Sequence, residues 1–325
     1  MSSSSKNLRE LPKFRDGLSF LYVEHAVIHK EVNYIIILQK EGTTTVPAAA
    51  LGVLILGPGT SITHAAIRVL AENGCSVLWV GEDCGRFYGS GLGETRSSSR
   101  LLQQARAWAN LKEHEQVVLR LYKFRFQEPL PTHFSLKQIR GLEGVRVRDT
   151  YARWSKETGV PWSGRKYVRG RWGITDPVNR AISVATSILY GVCHAGIVST
   201  GYSPALGFIH TGKMLSFVYD IADLYKTEVV IPAAFITVAE SNIRIEQRVR
   251  KAVRERIREA RILEKVVTDL QRLFDGLGGA CGGCEDPYAE DDAKPGKLWN
   301  VDGLVNGGVN YGVNDFREST EEFTG

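Results

Sequence analysis

The rhythm of apolar and polar positions along this chain changes most sharply near residue 96. Before that point, runs rich in Val, Ile, Leu and Tyr at 18–27, 33–39, 50–56 and 75–80 alternate with polar or glycine-bearing turns, which predicts strands. One stretch departs from that pattern: 63–73 reads as a short amphipathic helix closed by Asn73-Gly74. Gly57-Pro58-Gly59-Thr60 ends one strand as a plain turn, and a phosphate cradle is the weaker reading of the same residues. A single helix among short strands predicts a small β-sandwich or mixed β domain.

Beyond residue 96 the period becomes helical. The stretch 101–126 has no Gly or Pro and carries apolar residues at helix spacing, and Glu128-Pro129-Leu130-Pro131 breaks it. Further helices are predicted at 135–156, 177–199 and 214–225, followed by a long, highly charged one at 246–273. After Gly276 the chain is rich in Gly, Asp and Glu with little periodicity, which predicts a mobile tail; Leu298-Trp299 and Val309-Asn310-Tyr311 are apolar hints that could order on a partner. There is no internal repeat. The expected fold class is α+β, with an N-terminal small β-sandwich domain at 1–96, a larger all-helical domain at 97–276, and a flexible acidic tail at 277–325.

Composition changes this picture in two places. The net charge of +5 is unevenly spread: residues 101–280 hold 28 Lys and Arg against 17 Asp and Glu, whereas 281–325 hold 3 against 10. A basic body raises the expectation of a polyanionic partner, nucleic acid first, although solubility alone could account for it. The acidic end could mask that face or dock on a partner. Second, the five cysteines (Cys75, Cys84, Cys193, Cys281 and Cys284) are odd in number and three lie in apolar contexts, which argues for reduced thiols. Cys281-Gly-Gly-Cys284 has half-zinc-site spacing with no second pair downstream. No uninterrupted apolar run reaches about 18 residues and the N-terminus has no signal-like apolar core, so a cytoplasmic, non-membrane protein is expected.

The densest candidate chemistry lies in 207–226, where His210, Asp220 and Asp223 interrupt an apolar helical pattern. On a helix with about 100° per residue, Lys213 and Asp220 nearly superpose, and Asp223 and Lys226 follow at steps of three. Two readings stand. The row can be ordinary salt bridges with His210 near the helix start, or the half-buried carboxylates can serve a divalent metal. A further acid, Glu143, sits in Arg140-Gly141-Leu142-Glu143-Gly144-Val145-Arg146, with an arginine three residues to either side. Gly141 and Gly144 each weaken a helix by roughly 1 kcal/mol relative to Ala. They admit either close approach of a ligand or tight helix packing.

The stretches 140–154 and 207–226 together resemble the CRISPR-associated spacer-acquisition integrase, the metal-dependent nuclease subunit common to CRISPR systems, and most closely its type I-E branch. Supporting stretches are 57–68, Trp79-Val80-Gly81-Glu82, Arg165-Lys166-Tyr167 and Leu189-Tyr190-Gly191-Val192, and the resemblance spans roughly 11–260. It implies a β-sandwich ahead of a helical domain, an asymmetric homodimer, and a hetero-oligomer with a small ferredoxin-like partner subunit. It implies Glu143, His210 and Asp223 as metal ligands, with Asp220 as a nearby acid in the same pocket. DNA-holding residues would be Arg68, Arg86, Tyr190, Lys213 and Lys226, with Arg250 and Arg254 as looser matches; Ser61 stands where the type I-E pattern has an arginine.

Two carboxylates and an imidazole suit Mg²⁺ or Mn²⁺. The resemblance implies attack by the 3′-hydroxyl of a double-stranded prespacer on a phosphodiester of the CRISPR array, with DNA hydrolysis as the counterpart reaction. Arg250, Arg254, Arg258, Arg261 and Lys265 form a basic row at steps of three and four, either a DNA track or a solvated face. Tyr190 and Trp172 could stack on a splayed base pair or belong to the core. Rival readings are a stand-alone structure-specific nuclease on branched DNA and a non-enzymatic DNA-binding scaffold.

Overall fold

The computed structural model describes residues 20–82, 86–91, 98–126, 130–131, 133–165, 176–277, 298–300 and 303–305. The N-terminal part is two four-stranded sheets. One orders β1 (Phe20–Val23), β5 (Val53–Leu56), β7 (Ser76–Val80) and β8 (Phe87–Gly91), with β1–β5 and β5–β7 parallel and β7–β8 antiparallel. The other orders β4 (Gly42–Pro47), β3 (Tyr34–Gln39), β2 (Val27–Glu31) and β6 (Ser61–Ile62); its pairs are antiparallel except β2–β6. The helix α1 (His64–Glu72) is capped at its start by the Thr63 hydroxyl, which accepts from Ala66 N, and closes at Asn73.

Strand β5 explains how the two halves join. Its four residues are all buried, as a continuous apolar run predicts for a strand covered on both faces. Leu54 and Leu56 enter the sandwich core with Ile28, Ile35, Ile37, Ala66 and Leu70. Val53 and Ile55 face the other way and pack, with Leu78 and Val80, against Ala195, Val198 and Leu263 of the helices.

The helical part contains α2 (Ser99–Ala109), α3 (Leu111–Arg125), α4 (Leu136–Thr158), α5 (Pro177–Ser199), α6 (Ser216–Glu240), α7 (Ile245–Glu259) and α8 (Ile262–Phe274). At its centre lies α5, started by the Asp176 cap and Pro177 and buried almost all round. By length and hydropathy it could cross a bilayer, but 67% of that window is buried inside the protein, as in a core helix. A β-rich region followed by a helical one is the fold class expected.

Several boundaries differ from the expectation. The run 18–27 is two strands, and β4 and β8 were unforeseen, β4 because its threonines are exposed and show no apolar alternation. The predicted helix 101–126 is two helices, divided at Asn110, whose side chain accepts from Lys112 N and Glu113 N. The predicted helix 246–273 is also two, divided where Arg261 takes φ +50°. The basic row is therefore not one continuous helical face; Arg261 pairs with Glu264 and Lys265 with Glu228. Helix α6 begins at Ser216 rather than 214 and continues past 225, through Pro232, to Glu240. In the tail, β9 (Leu298–Asn300) and β10 (Gly303–Val305) pair as an antiparallel hairpin of a second compact unit. Trp172, Lys166, Tyr167, Cys84, Cys281, Cys284 and the rest of the tail lie outside the described residues.

Candidate active site

The four acid and imidazole candidates come from α4, α6 and the turn ahead of α6. Asp220 lies on the inward face of α6 and is fully buried. Its Oδ2 accepts from Phe208 N at 2.6 Å and Ile209 N at 3.1 Å. Its Oδ1 accepts from His210 N at 2.9 Å and His210 Nδ1 at 2.7 Å. Both oxygens are thus committed to the 208–210 turn, and Asp220 orients the imidazole rather than offering a free ligand oxygen. The same hydrogen bond raises the His210 pKa, opposed by partial burial. With Nδ1 held as the donor, the neutral ring has its Nε2 lone pair available to a metal.

The turn is held from beneath by α2 and α3. Buried Gln104 accepts from Ser203 N at 2.7 Å and donates to the Ser203 and Leu206 carbonyls at 3.0 Å each. Trp108 Nε1 donates to the Gly207 carbonyl, and the His114 ring nitrogens lie 3.0 Å from the Trp108 and Phe208 carbonyls. Gly207 has to be glycine here: a Cβ would lie 2.2 Å from the His210 carbonyl oxygen and 2.7 Å from Ser216.

Glu143, on α4, is gripped by Arg146, with Nε–Oε2 2.8 Å and Nη2–Oε1 3.0 Å. The other flanking arginine, Arg140, is exposed. Asp223 lies on α6, 3.7 Å from Lys226 Nζ. A cation missed in the sequence joins the two carboxylates: Arg125, at the end of α3, has Nη1 3.4 Å from Glu143 Oε1 and Nη2 3.8 Å from Asp223 Oδ2. Its signal was present, since Arg125 falls on the stripe formed by Val118, Leu121 and Tyr122. The charges of Asp223 and Arg125 both act on the His210 ring. Among the described residues no group of three or more His, Cys, Asp or Glu stands close enough together to hold a metal. The donor types still fit a divalent ion. Two half-buried carboxylates share only the long contacts of Arg125, whose buried Nε and Nη2 make no hydrogen bond, and a tautomer-fixed imidazole lies nearby.

Tyr190 packs on Tyr219, which meets the His210 ring at 5.9 Å; burial first, and then Asp223, raise the Tyr190 pKa. Lys213 does not share the helical row, because it is exposed in the turn before α6. Around Gly141 and Gly144 an added Cβ would meet nothing within 4 Å, which removes tight helix packing within this chain as their reason. Arg86, Arg250 and Arg254 come together, lining one cavity of about 560 Å³ with Glu82, Tyr88 and Ser187, where Arg254 pairs with Glu82 at 3.2 Å. Arg68 is not in that group; it is exposed on α1 and pairs with Glu72.

With an acid–imidazole pair and two arginine-bridged carboxylates in a helical domain behind a β-sandwich, the chain matches the family model described as CRISPR associated protein Cas1 over residues 20–125 and 112–268. It is 62% identical over 320 residues to CRISPR-associated endonuclease Cas1 2 of Thermus thermophilus, covering 98% of each chain. It is 38% identical over 282 residues to CRISPR-associated endonuclease Cas1 of Escherichia coli, covering 86% of this chain and 91% of that one. The crystal structure of a TtCas1–DNA complex superposes with a TM-score of 0.77 at 64% identity, over 82% of this chain and 100% of that one. A casposase bound to integration product shares the fold, with a TM-score of 0.56 at 15% identity, over 78% of this chain and 95% of that one. The class is that of CRISPR-associated nucleases. This chain belongs to the Cas1 family of endonucleases.

Proposed function

We propose that this protein is the integrase of CRISPR adaptation, a Mg²⁺- or Mn²⁺-dependent DNA enzyme that joins prespacer 3′-hydroxyls to the CRISPR array by transesterification. The observation that carries this reading is the meeting of Glu143 and Asp223, from two helices, at one cation beside an imidazole whose tautomer is fixed by Asp220. Glu143, Asp223 and His210 Nε2 would hold the metal, and Asp220 would orient the imidazole. The bound ion would polarise the scissile phosphodiester and offset charge in its transition state. The 3′-oxygen forms a bond to phosphorus while a bridging P–O bond breaks. The attacking hydroxyl loses its proton to solvent, and the departing strand end takes one up.

Lys213 and Lys226 would grip phosphates beside the pocket. Arg86, Arg250 and Arg254 would hold duplex further out, with Arg68 on the sandwich and Tyr190 against a terminal base. That a relative at 64% identity forms a complex with DNA supports DNA as the ligand. The same reading includes a homodimer working with a small ferredoxin-like subunit in the cytoplasm, and domains divided at about residues 96 and 276.

The test is a joining assay with labelled 3′-hydroxyl duplex, array DNA, divalent ion and the partner subunit. Joined products are expected, and Glu143→Ala, His210→Ala and Asp223→Ala should each lose about 10²-fold or more in rate. Cut but never joined DNA, indifferent to 3′-deoxy ends, would replace strand transfer with the structure-specific nuclease reading.

A further inference from the structure

Arg125 is an odd counter-ion. Only 5% of its side chain is exposed, yet its contacts to Glu143 and Asp223 are 3.4 and 3.8 Å. A charge-assisted hydrogen bond would be about 2.8 Å. Its Nε and Nη2 have no hydrogen-bond partner, and burying a cation with donors unspent is costly. Glu143 does not need it, because Arg146 already neutralises that carboxylate with two short bonds. What Arg125 alone does among the described ion pairs is touch both carboxylates at once.

The charge balance makes the consequence definite. Glu143 pairs with Arg125 and Arg146, Asp223 with Arg125 and Lys226, and Asp220 with the His210 ring, so three carboxylates stand with three permanently charged cations. A divalent ion added there brings two surplus positive charges next to a buried guanidinium. A DNA phosphodiester arriving with it returns a negative one.

We propose that Arg125 is a resident counter-ion of the divalent-metal site: it keeps Glu143 and Asp223 facing one another in the metal-free protein and holds metal affinity low until a phosphodiester arrives. This rests on the metal ligands assigned under Proposed function. Metal and DNA are then reciprocally coupled, since each removes the charge surplus or deficit that the other creates. The guanidinium thereby disfavours the metal-loaded, DNA-free enzyme.

Mn²⁺ binding to the full chain, measured by calorimetry, tests this in wild type, Arg125→Gln, Arg125→Lys and Glu143→Gln, with and without duplex DNA. Without DNA, Arg125→Gln should bind Mn²⁺ about tenfold more tightly than wild type, while Arg125→Lys stays close to it. DNA should tighten Mn²⁺ binding in wild type and do so less in Arg125→Gln. Affinity in Arg125→Gln equal to or weaker than wild type overturns the proposal. Should that variant fail to fold, the wild-type arm decides: Mn²⁺ affinity indifferent to DNA overturns it. If Glu143→Gln leaves Mn²⁺ binding intact, the metal-site assignment itself fails and this inference with it. If Glu143→Gln abolishes binding while Arg125→Gln behaves as wild type, only the role of Arg125 fails.

Discussion

Asp220 holds the 208–210 turn through three backbone N–H groups and the His210 ring, all from a fully buried position. Asp220→Ala leaves those donors unpaired, at about 1–3 kcal/mol for each group that stays dry. The expected outcome is a loss of about 3 kcal/mol or more in denaturant unfolding, together with loss of joining activity. Lys213→Ala, at an exposed position, should stay within about 0.5 kcal/mol of wild type and lose DNA affinity instead. The sequence pattern singled out His210, Asp220 and Asp223 as unusual, and that much of the candidate site was legible from spacing. It could not distinguish their jobs, because Asp220 is defined by a turn that Gln104, Trp108 and His114 pin from about a hundred residues away in the chain. A helical wheel carries no such long-range contact, and it extended the row of Asp220, Asp223 and Lys226 back to Lys213, which precedes the helix. Arg125 was legible in principle, as a charge on an apolar stripe.

Among the elements, the two missed helix breaks differ in kind. Asn110 followed three residues later by Glu113 has the spacing of an N-terminal cap, a local signal that the absence of Gly and Pro overshadowed. Arg261 carries no such signal; an arginine at φ +50° is imposed by the packing of α7 and α8 on the core, where Val249, Val253, Ile262 and Val266 are fully buried. A left-handed L-residue costs roughly 1–2 kcal/mol, part of which glycine recovers. Arg261→Gly should therefore be stabilising by up to about 1 kcal/mol, and Arg261→Val destabilising by more than about 1 kcal/mol, in urea titrations. Strands read well where one face was plainly apolar and badly where, as in β4, threonines lie in the open at a sheet edge.

For the whole molecule, the sandwich and the helices meet at a joint that titrates. Phe87 of β8 stacks on His194 of α5, with ring centroids 3.8 Å apart, and burial lowers the His194 pKa to about 4. The unfolded chain binds this proton near pH 6.5. Between about pH 6.5 and 4 the unfolded state therefore carries more protons, and stability falls as pH falls through that window before levelling off. Melting temperatures should decline across it in wild type, and His194→Gln should decline less. The α+β architecture itself was legible because the hydrophobic period changes so sharply. The joint was not, because the alternate residues of β5 look identical in sequence although they serve different cores.

That doubling of β5 constrains how such a protein can be cut or grafted. Val53 and Ile55 are the lid over Ala195, Val198 and Leu263, so an isolated helical fragment would present a raw greasy patch to water and clump. The basic cavity would go as well: Arg86 lies on one side of the seam and Arg250 and Arg254 on the other, and only an intact seam keeps the three arginines at a fixed span.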